Sequence, residues 1–214
     1  MTAAANGQEL AVAPAEPFPV IPPGASPQDA TDWLRSCGVL ANAVQAGEMV
    51  PDFELADTAG APVGLGALLD RGPLVISFVL GSESPVCRAS LRALQGALPL
   101  IESHRGSIVA ISPDQPAASH RLAQEDCLGF KLLADDDGHL AALFGLVYQP
   151  PQPLSVWLKL LGLGRCDPIF PPRLILPAAY VINGDGIAVY AFLDPDPRHR
   201  VDPQALIGCL SRLG

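Results

Sequence analysis

The stretch from Pro73 to Leu80 carries the strongest hydrophobic pattern in the chain. Every residue in it except Ser77 is apolar, and several are β-branched, which is typical of a strand buried on both faces of a sheet. From Pro85 onward, after a short turn rich in Gly and Ser, apolar residues recur at helical spacing. The pattern therefore predicts a buried strand, a tight turn and a helix that begins near Pro85.

Strands and helices are predicted to alternate along the rest of the chain, which is the order of an α/β layered domain. The clearest hairpin signal is Asn183-Gly-Asp-Gly between two runs of apolar and aromatic residues. The predicted elements are a small hairpin at 53–55 and 63–65, the strand and helix around Pro85, a strand at 107–112, a helix at 115–126, a strand at 130–133, a helix through 140–144, a hairpin at 177–182 and 187–192, and a helix at 203–213.

Cys87 lies in the first turn of the helix that follows the buried strand. Pro85 suits the first helical position, and Ser84 before it suits the N-cap. Unpaired backbone N–H groups and the helix dipole at such a position favour a thiolate. Cys87 is therefore predicted to be a nucleophile, with a small buried packing residue as the alternative.

Proline-rich segments flank and interrupt the main domain. Residues 1–45 are predicted to form an Ala/Pro-rich arm and a short helix that opens at Ser26-Pro27 and continues through Leu40. Residues 46–214 form the main domain, and 148–175 is predicted to be an insertion with an amphipathic helix around Trp157. That helix has three interpretations: part of the core, a lid over the thiol, or a dimer contact.

Charge and composition argue against several classes of protein. The net charge is −9, whereas phosphate binding needs a basic surface, so nucleic acid is not expected as a partner. No apolar run reaches the roughly 18 residues of a membrane span, and the first residues lack a signal-peptide pattern. We therefore expect a cytoplasmic protein without a membrane partner. The 5 cysteines and 4 histidines are widely spaced, so neither a disulfide framework, a metal site nor a cofactor is predicted.

Five segments keep an order and spacing that is typical of one family. They are Val50-Pro-Asp-Phe-Glu-Leu, the strand leading to Cys87, Ile108-Val-Ala-Ile-Ser-Pro, Leu133-Ala-Asp-Asp-Asp, and Leu176-Pro-Ala-Ala-Tyr-Val-Ile-Asn-Gly-Asp-Gly. Together they resemble the peroxiredoxin-like branch of the alkyl hydroperoxide reductase/thiol-specific antioxidant family, over roughly residues 46–212. The resemblance implies a thioredoxin-like α/β fold. Its central mixed sheet has helices on both faces, with an N-terminal extension and a helical insertion before the last hairpin.

The chain departs from the pattern of that family around the cysteine. Peroxiredoxins carry a Pro-x-x-x-Thr/Ser-x-x-Cys motif, in which Ser84 and Cys87 fill two places and Leu80 stands where proline is expected. The resembling branch usually has Cys-Pro-x-Cys at this turn, so Ser84 also replaces a first thiol and no vicinal disulfide can form. The activating arginine of the family normally precedes the late strand, where this chain has Pro177, which resembles the cis-proline of thioredoxins.

The resemblance implies reduction of hydroperoxides by a one-cysteine mechanism. Cys87 would attack the peroxide and become a sulfenic acid, which an external thiol then reduces. The Ser84 hydroxyl and the backbone N–H groups of Val86 and Cys87 would hold the peroxide, with Pro177 and Trp157 beside the substrate. A homodimer is expected by analogy with the family.

Arg200 is the candidate for stabilising charge as the O–O bond breaks. The resembling branch also has basic residues in this late segment, and Arg198, Arg88 and Arg173 are weaker candidates. The alternative is that Arg200 is a solvated charge paired with Asp194 or Asp196.

The sequence leaves two other functions open. Cys87 could serve other thiol or adduct chemistry, for example in a biosynthetic enzyme, or the protein could be a non-catalytic binding partner.

The remaining cysteines are not predicted to be nucleophiles. Cys209 is predicted to lie in the core, Cys37 and Cys127 to be small packing residues, and Cys166 to be exposed. If a second cysteine resolves the sulfenic acid, Cys166 or Cys127 is the candidate.

Overall fold

The computed structural model describes residues 26–82, 84–151, 173–196 and 198–213. Along these ranges the predicted alternation of strands and helices is confirmed. In chain order the elements are α1 (Pro27–Ser36), α2 (Val39–Asn42), β1 (Glu54–Ala56), β2 (Pro62–Gly64), α3 (Leu65–Leu69), β3 (Leu74–Phe78), α4 (Pro85–Ser103), β4 (Ser107–Ser112), α5 (Pro116–Glu125), β5 (Lys131–Ala134), α6 (His139–Leu143), β6 (Val147–Tyr148), β7 (Leu174–Ile175), β8 (Ala178–Ile182), β9 (Ala188–Leu193) and α7 (Pro203–Leu210).

Five strands form a mixed sheet in the order β5-β4-β3-β8-β9. The central strand β3 runs parallel to β4, with Ile76 opposite Val109, and antiparallel to β8, with Ile76 opposite Tyr180. Every residue of β3 and β8 is buried. Because successive side chains of a strand point to opposite faces, both faces of the sheet are covered. The predicted α/β fold with a central mixed sheet is confirmed.

Three aromatic rings pack together against one face of this sheet. The ring centroids of Phe78 and Phe144 are 4.9 Å apart, and those of Phe144 and Tyr180 are 5.2 Å apart. Rings at these separations attract each other beyond simple burial, by about 0.5–1.5 kcal/mol per pair. Phe78 is the last residue of β3, so this cluster stabilises the strand that leads to Cys87.

Helix α4 is the longest helix in the described ranges. Its buried side chains follow the spacing of one helical face, including Leu91, Leu94 and Leu98. This face packs against β4 and α7. Neither α4 nor any other helix in the described ranges is long and apolar enough to cross a membrane.

The amino-terminal helix is shorter than predicted. Ser26 and Asp29 form a reciprocal capping box at the start of α1, and Trp33 and Leu34 are buried in the core. Gly38 then adopts a left-handed conformation with φ 87°, which favours glycine and breaks the helix. The predicted continuous helix through Leu40 is therefore wrong, because the chain forms α1 and the separate short α2.

The ends of the predicted insertion meet in a small sheet. Strand β6 pairs antiparallel with β7, and the backbone N–H of Leu176 donates to the carbonyl of Leu146 at 2.8 Å. Residues 152–172 lie outside the described ranges, as do residues 1–25. The amphipathic helix around Trp157, the Ala/Pro-rich arm and the domain boundaries therefore stay predictions.

Candidate active site

The turn after β3 and the first turn of α4 place Cys87 in the interior. Ser84 is the N-cap of α4, and its Oγ accepts a hydrogen bond from the backbone N–H of Cys87 at 3.3 Å. Pro85 follows at the start of the helix, where its missing N–H costs nothing. The predicted cap and the predicted position of Cys87 in the first helical turn are confirmed.

Two donors converge on the sulfur of Cys87. The backbone N–H of Leu80 donates to Sγ at 3.3 Å, and Nη2 of Arg200 lies 3.5 Å from the same atom. The cysteine side chain is fully buried, with 0% of its surface exposed. An N–H group and a guanidinium aimed at one buried sulfur both stabilise negative charge on it.

Asp114 fixes the turn that presents the N–H of Leu80. Its Oδ2 accepts hydrogen bonds from the backbone N–H of Ser82 and from the hydroxyl of Ser112 at the end of β4. Gly81 packs directly against this carboxylate: a Cβ at Gly81 would lie 2.9 Å from Oδ1 of Asp114, and its φ of 122° also requires glycine. The carboxyl ends of β3 and β4 are thus tied together at the site.

The connector between β9 and α7 brings Arg200 to the sulfur. Within it, the carboxylate of Asp196 accepts the backbone N–H of Arg198 at 3.0 Å and forms an ion pair with its guanidinium. This guanidinium lowers the pKa of Asp196 to about 2. Asp194 accepts the backbone N–H of Asp196 at 2.7 Å and lies 3.1 Å from Nδ1 of His199. Two carboxylates therefore shape the connector that presents Arg200.

The other predicted site residues lie at different distances from this centre. Val86 precedes Cys87 in the same helical turn and is half-buried. Pro177 is buried and comes one residue before the pairing of Ala178 with Phe78, so the register places it beside the end of β3. Trp157 falls outside the described residues. Cys87, Ser84 and Arg200 are brought together. Val86 lies beside Cys87 in the helix, and Pro177 lies beside the end of β3.

The weaker arginine candidates have other surroundings. Arg88 forms an ion pair with Asp126 at 2.8 Å, and Asp126 also pairs with Arg92 at 2.6 Å. The hydrogen bond from Arg88 is the main reason why the pKa of Asp126 is lowered. Arg198 pairs with Asp196, and Arg173 is exposed at the edge of a described range.

The four described cysteines are free thiols, namely Cys37, Cys87, Cys127 and Cys209. Cys209 is buried in α7, as predicted. Cys37 is half-buried, and burial raises the pKa of its thiol. The prediction that Cys127 is a packing residue is wrong, because it is exposed. Helix α5 ends at Glu125, and Cys127 then adopts a positive φ of 49° that turns it away from the helix face. Cys166 lies outside the described residues.

Two features of the site are absent from the sequence analysis. The backbone donor at Leu80 has no sequence signature, because every residue except proline carries the same N–H. Asp114 follows a strand, and its contact with Gly81 depends on which strands are neighbours. Within the described ranges, no group of three or more His, Cys, Asp or Glu side chains is placed to hold a metal ion.

The fold and the buried cysteine at a helix start define a thiol protein of thioredoxin-like architecture. The chain belongs to the AhpC/TSA family, whose family model matches residues 46–191. It is 32% identical over 103 residues to a putative peroxiredoxin of Mycobacterium tuberculosis, and the matched region covers 48% of this chain and 67% of that protein. It is 29% identical over 105 residues to peroxiredoxin Bcp of Escherichia coli, which covers 49% of this chain and 67% of that protein.

Solved structures agree on the fold. Peroxidoxin BcpB of Mycobacterium tuberculosis superposes with a TM-score of 0.63 and 23% identity, over 80% of this chain and 99% of that one. Peroxiredoxin Q of Xanthomonas campestris superposes with a TM-score of 0.60 and 18% identity, over 75% and 90% of the two chains. The resemblance seen in the sequence is confirmed, and with it a peroxiredoxin-like thiol oxidoreductase that acts through a cysteine.

Proposed function

We propose that this protein reduces hydroperoxides with Cys87 as the attacking thiolate and Arg200 as the stabilising cation. The observation that carries the proposal is the convergence of the Arg200 guanidinium and the Leu80 N–H on one buried sulfur, at 3.5 and 3.3 Å. A buried packing cysteine has no need of two such donors. The placement of Arg200 supports its role, because it supplies a cation although Pro177 occupies the usual position of the family arginine.

The reaction moves one oxygen from the peroxide to the sulfur. The Cys87 thiolate attacks the hydroxyl-bearing oxygen of a hydroperoxide, and the S–O bond forms as the O–O bond breaks. Cys87 is oxidised to a sulfenic acid, while the peroxide is reduced to an alkoxide that takes up a proton from water. The Arg200 guanidinium is within reach of the sulfur, and it stabilises the negative charge as this charge passes to the leaving oxygen. Ser84 holds the backbone of Cys87 in place.

A hydroperoxide reaches the sulfur only after a small local movement. The side chain of Cys87 has no exposed surface, and Ser84 in front of it is equally buried. Val86 and Pro85 are the more exposed residues of this first turn, so we infer that a shift of the turn opens Sγ to the peroxide. We infer that Val86 and Pro177 contact the bound substrate.

An external thiol completes the cycle in this proposal. One equivalent attacks the sulfenic acid, which releases water and leaves a mixed disulfide, and a second thiol restores Cys87 and leaves as a disulfide. The free state of all four described cysteines suits a reducing compartment such as the cytoplasm. The partners are then a hydroperoxide and a thiol, without nucleic acid or membrane. The homodimer stays a prediction that sedimentation velocity checks.

Trapping the sulfenic acid tests the proposal. The protein is treated with hydrogen peroxide in the presence of dimedone, and the adducts are located by peptide mass mapping, with Cys87→Ser as the control variant. We expect an adduct at Cys87 that forms within the time of peroxide consumption and is lost in the control. A Cys87 that iodoacetamide alkylates but peroxide does not oxidise would refute the proposal and favour other thiol chemistry.

A further inference from the structure

The backbone N–H of Leu80 makes a contact that the motif residue of the family cannot make. Its nitrogen lies 3.3 Å from Sγ of Cys87, and both residues are buried. Proline, which the peroxiredoxin motif places here, has no N–H to donate. The change from proline to leucine therefore adds a hydrogen-bond donor to the reacting atom, whatever the leucine side chain does.

The position of this donor is fixed from both sides. Before it, the backbone N–H of Val79 donates to the carbonyl of Ile111 in β4 at 3.0 Å. After it, Gly81 packs against Asp114, and Ser82 donates its N–H to the same carboxylate. The N–H of Leu80 is therefore preorganised towards the sulfur and needs no rearrangement before the reaction.

A second departure from the family pattern indicates what this donor contributes to the site. Pro177 stands where the family has its activating arginine, so this position, directly before β8, supplies no positive charge. The site now receives its stabilisation from Arg200 in the late connector and from the backbone at Leu80. We propose that the backbone N–H of Leu80 is a catalytic donor that stabilises negative charge on the attacking sulfur of Cys87 and partly replaces the missing arginine. This inference rests on the proposed function of Cys87.

The donor acts on the attacking atom itself. A hydrogen bond to the sulfur stabilises the negative charge that the sulfur carries when it attacks. Loss of the donor should therefore slow each reaction in which this sulfur is the nucleophile.

Two substitutions at one position separate the N–H from the side chain. Leu80→Ala removes most of the side chain and keeps the N–H, whereas Leu80→Pro restores the family residue and removes the N–H. The measurement is the rate of Cys87 alkylation by iodoacetamide and the rate of peroxide consumption. We expect Leu80→Pro to react roughly ten- to hundredfold more slowly than Leu80→Ala in both reactions, which is the usual worth of a hydrogen bond to a charged group.

Equal rates for the two variants would overturn the inference. If Leu80→Pro does not fold, or is slow only because its fold is disturbed, an ester in place of the peptide bond between residues 79 and 80 deletes the N–H alone. The same loss of rate is expected for the ester, and its absence would overturn the inference. Failure of the proposed function is distinguishable, because Cys87 of the unsubstituted protein would then be alkylated by iodoacetamide but not oxidised by peroxide.

Discussion

At the scale of single residues, the reactivity of this protein depends on what surrounds one sulfur atom. Cys87 and its cap, Ser84, could be predicted because a buried strand, a turn and Pro85 mark a helix start in the sequence. Arg200 could be proposed only through the resemblance, since its segment follows a strand and says nothing by itself about distance to Cys87. The donor at Leu80 could not be predicted, because backbone geometry and not residue type creates it.

Removal of the Arg200 guanidinium is expected to slow peroxide reduction strongly. Arg200→Ala should lower kcat/KM for hydrogen peroxide by about 10²–10³-fold, which is the usual effect of losing a preorganised donor to developing charge. Arg200→Lys should recover part of the rate, because a lysine ammonium carries the charge without the planar fork. Stopped-flow measurement of peroxide consumption gives these values.

The matched control for this substitution is Arg173→Ala, which removes an exposed guanidinium. It should leave the rate unchanged. Equal rates for Arg200→Ala and the unsubstituted protein would contradict the role of Arg200 and revive the interpretation of a solvated charge.

At the scale of elements, the turn between β3 and α4 determines where the donors point. Long patterned segments such as β4 and α5 could be predicted closely, because their periodicity extends over many residues. The short helix α3 and the break at Gly38 could not, because a few residues carry too little periodicity. The tie between this turn and Asp114 depends on the neighbouring strand β4, which the local pattern does not reveal.

Loss of the Asp114 carboxylate is expected to loosen this turn. Asp114→Ala leaves the N–H of Ser82 and the hydroxyl of Ser112 without their acceptor, so the Leu80 N–H should lose its fixed direction. Peroxide reduction should fall by about tenfold, the effect of one hydrogen bond of ordinary strength. Asp114→Asn keeps an amide oxygen as acceptor and should retain most of the activity.

The rate of iodoacetamide alkylation, measured together with the melting temperature, separates this positioning role from a loss of folding. In Asp114→Ala the alkylation rate of Cys87 should fall, as for Leu80→Pro, and in Asp114→Asn most of this rate should return. An unchanged alkylation rate combined with a lower melting temperature would mean that Asp114 supports only the stability of the fold.

At the scale of the whole molecule, the resemblance to the family predicted the arrangement of the strands, which the hydrophobic pattern alone does not. Periodicity predicts that β3 and β8 are strands, but their antiparallel pairing joins segments more than 90 residues apart, as in Ile76 with Tyr180. The ordered family segments implied this arrangement. The exposure of Cys127 could not be predicted, because this residue lies in a turn with positive φ after the end of α5, where the helical pattern no longer applies.

The ion pairs of Asp126 are expected to make the fold sensitive to acid. Hydrogen bonds from Arg88 hold the pKa of Asp126 below that of an ordinary aspartate. In acid the folded state therefore binds fewer protons than the unfolded state, and the stability contributed by this group is lost as the pH falls through the folded pKa. The melting temperature of Asp126→Asn should be lower than that of the unsubstituted protein at neutral pH, and the difference should shrink in acid.

Asp32→Asn is the control for this effect, because its ion pair with Arg35 is exposed on both sides and such pairs contribute little. A difference between Asp126→Asn and the unsubstituted protein that stays constant from neutral to acid pH would contradict the assignment of acid sensitivity to Asp126.

The central claim is that Cys87 alone performs the peroxide chemistry with an external thiol. The most direct measurement uses a variant in which Cys87 is the sole cysteine, with Cys37→Ser, Cys127→Ser, Cys166→Ser and Cys209→Ala. Multiple-turnover consumption of hydrogen peroxide with dithiothreitol is compared with that of the unsubstituted protein and of Cys87→Ser. We predict that the sole-cysteine variant keeps its turnover and that Cys87→Ser has none. Turnover that survives in Cys87→Ser, or that disappears in a folded sole-cysteine variant, would contradict this account.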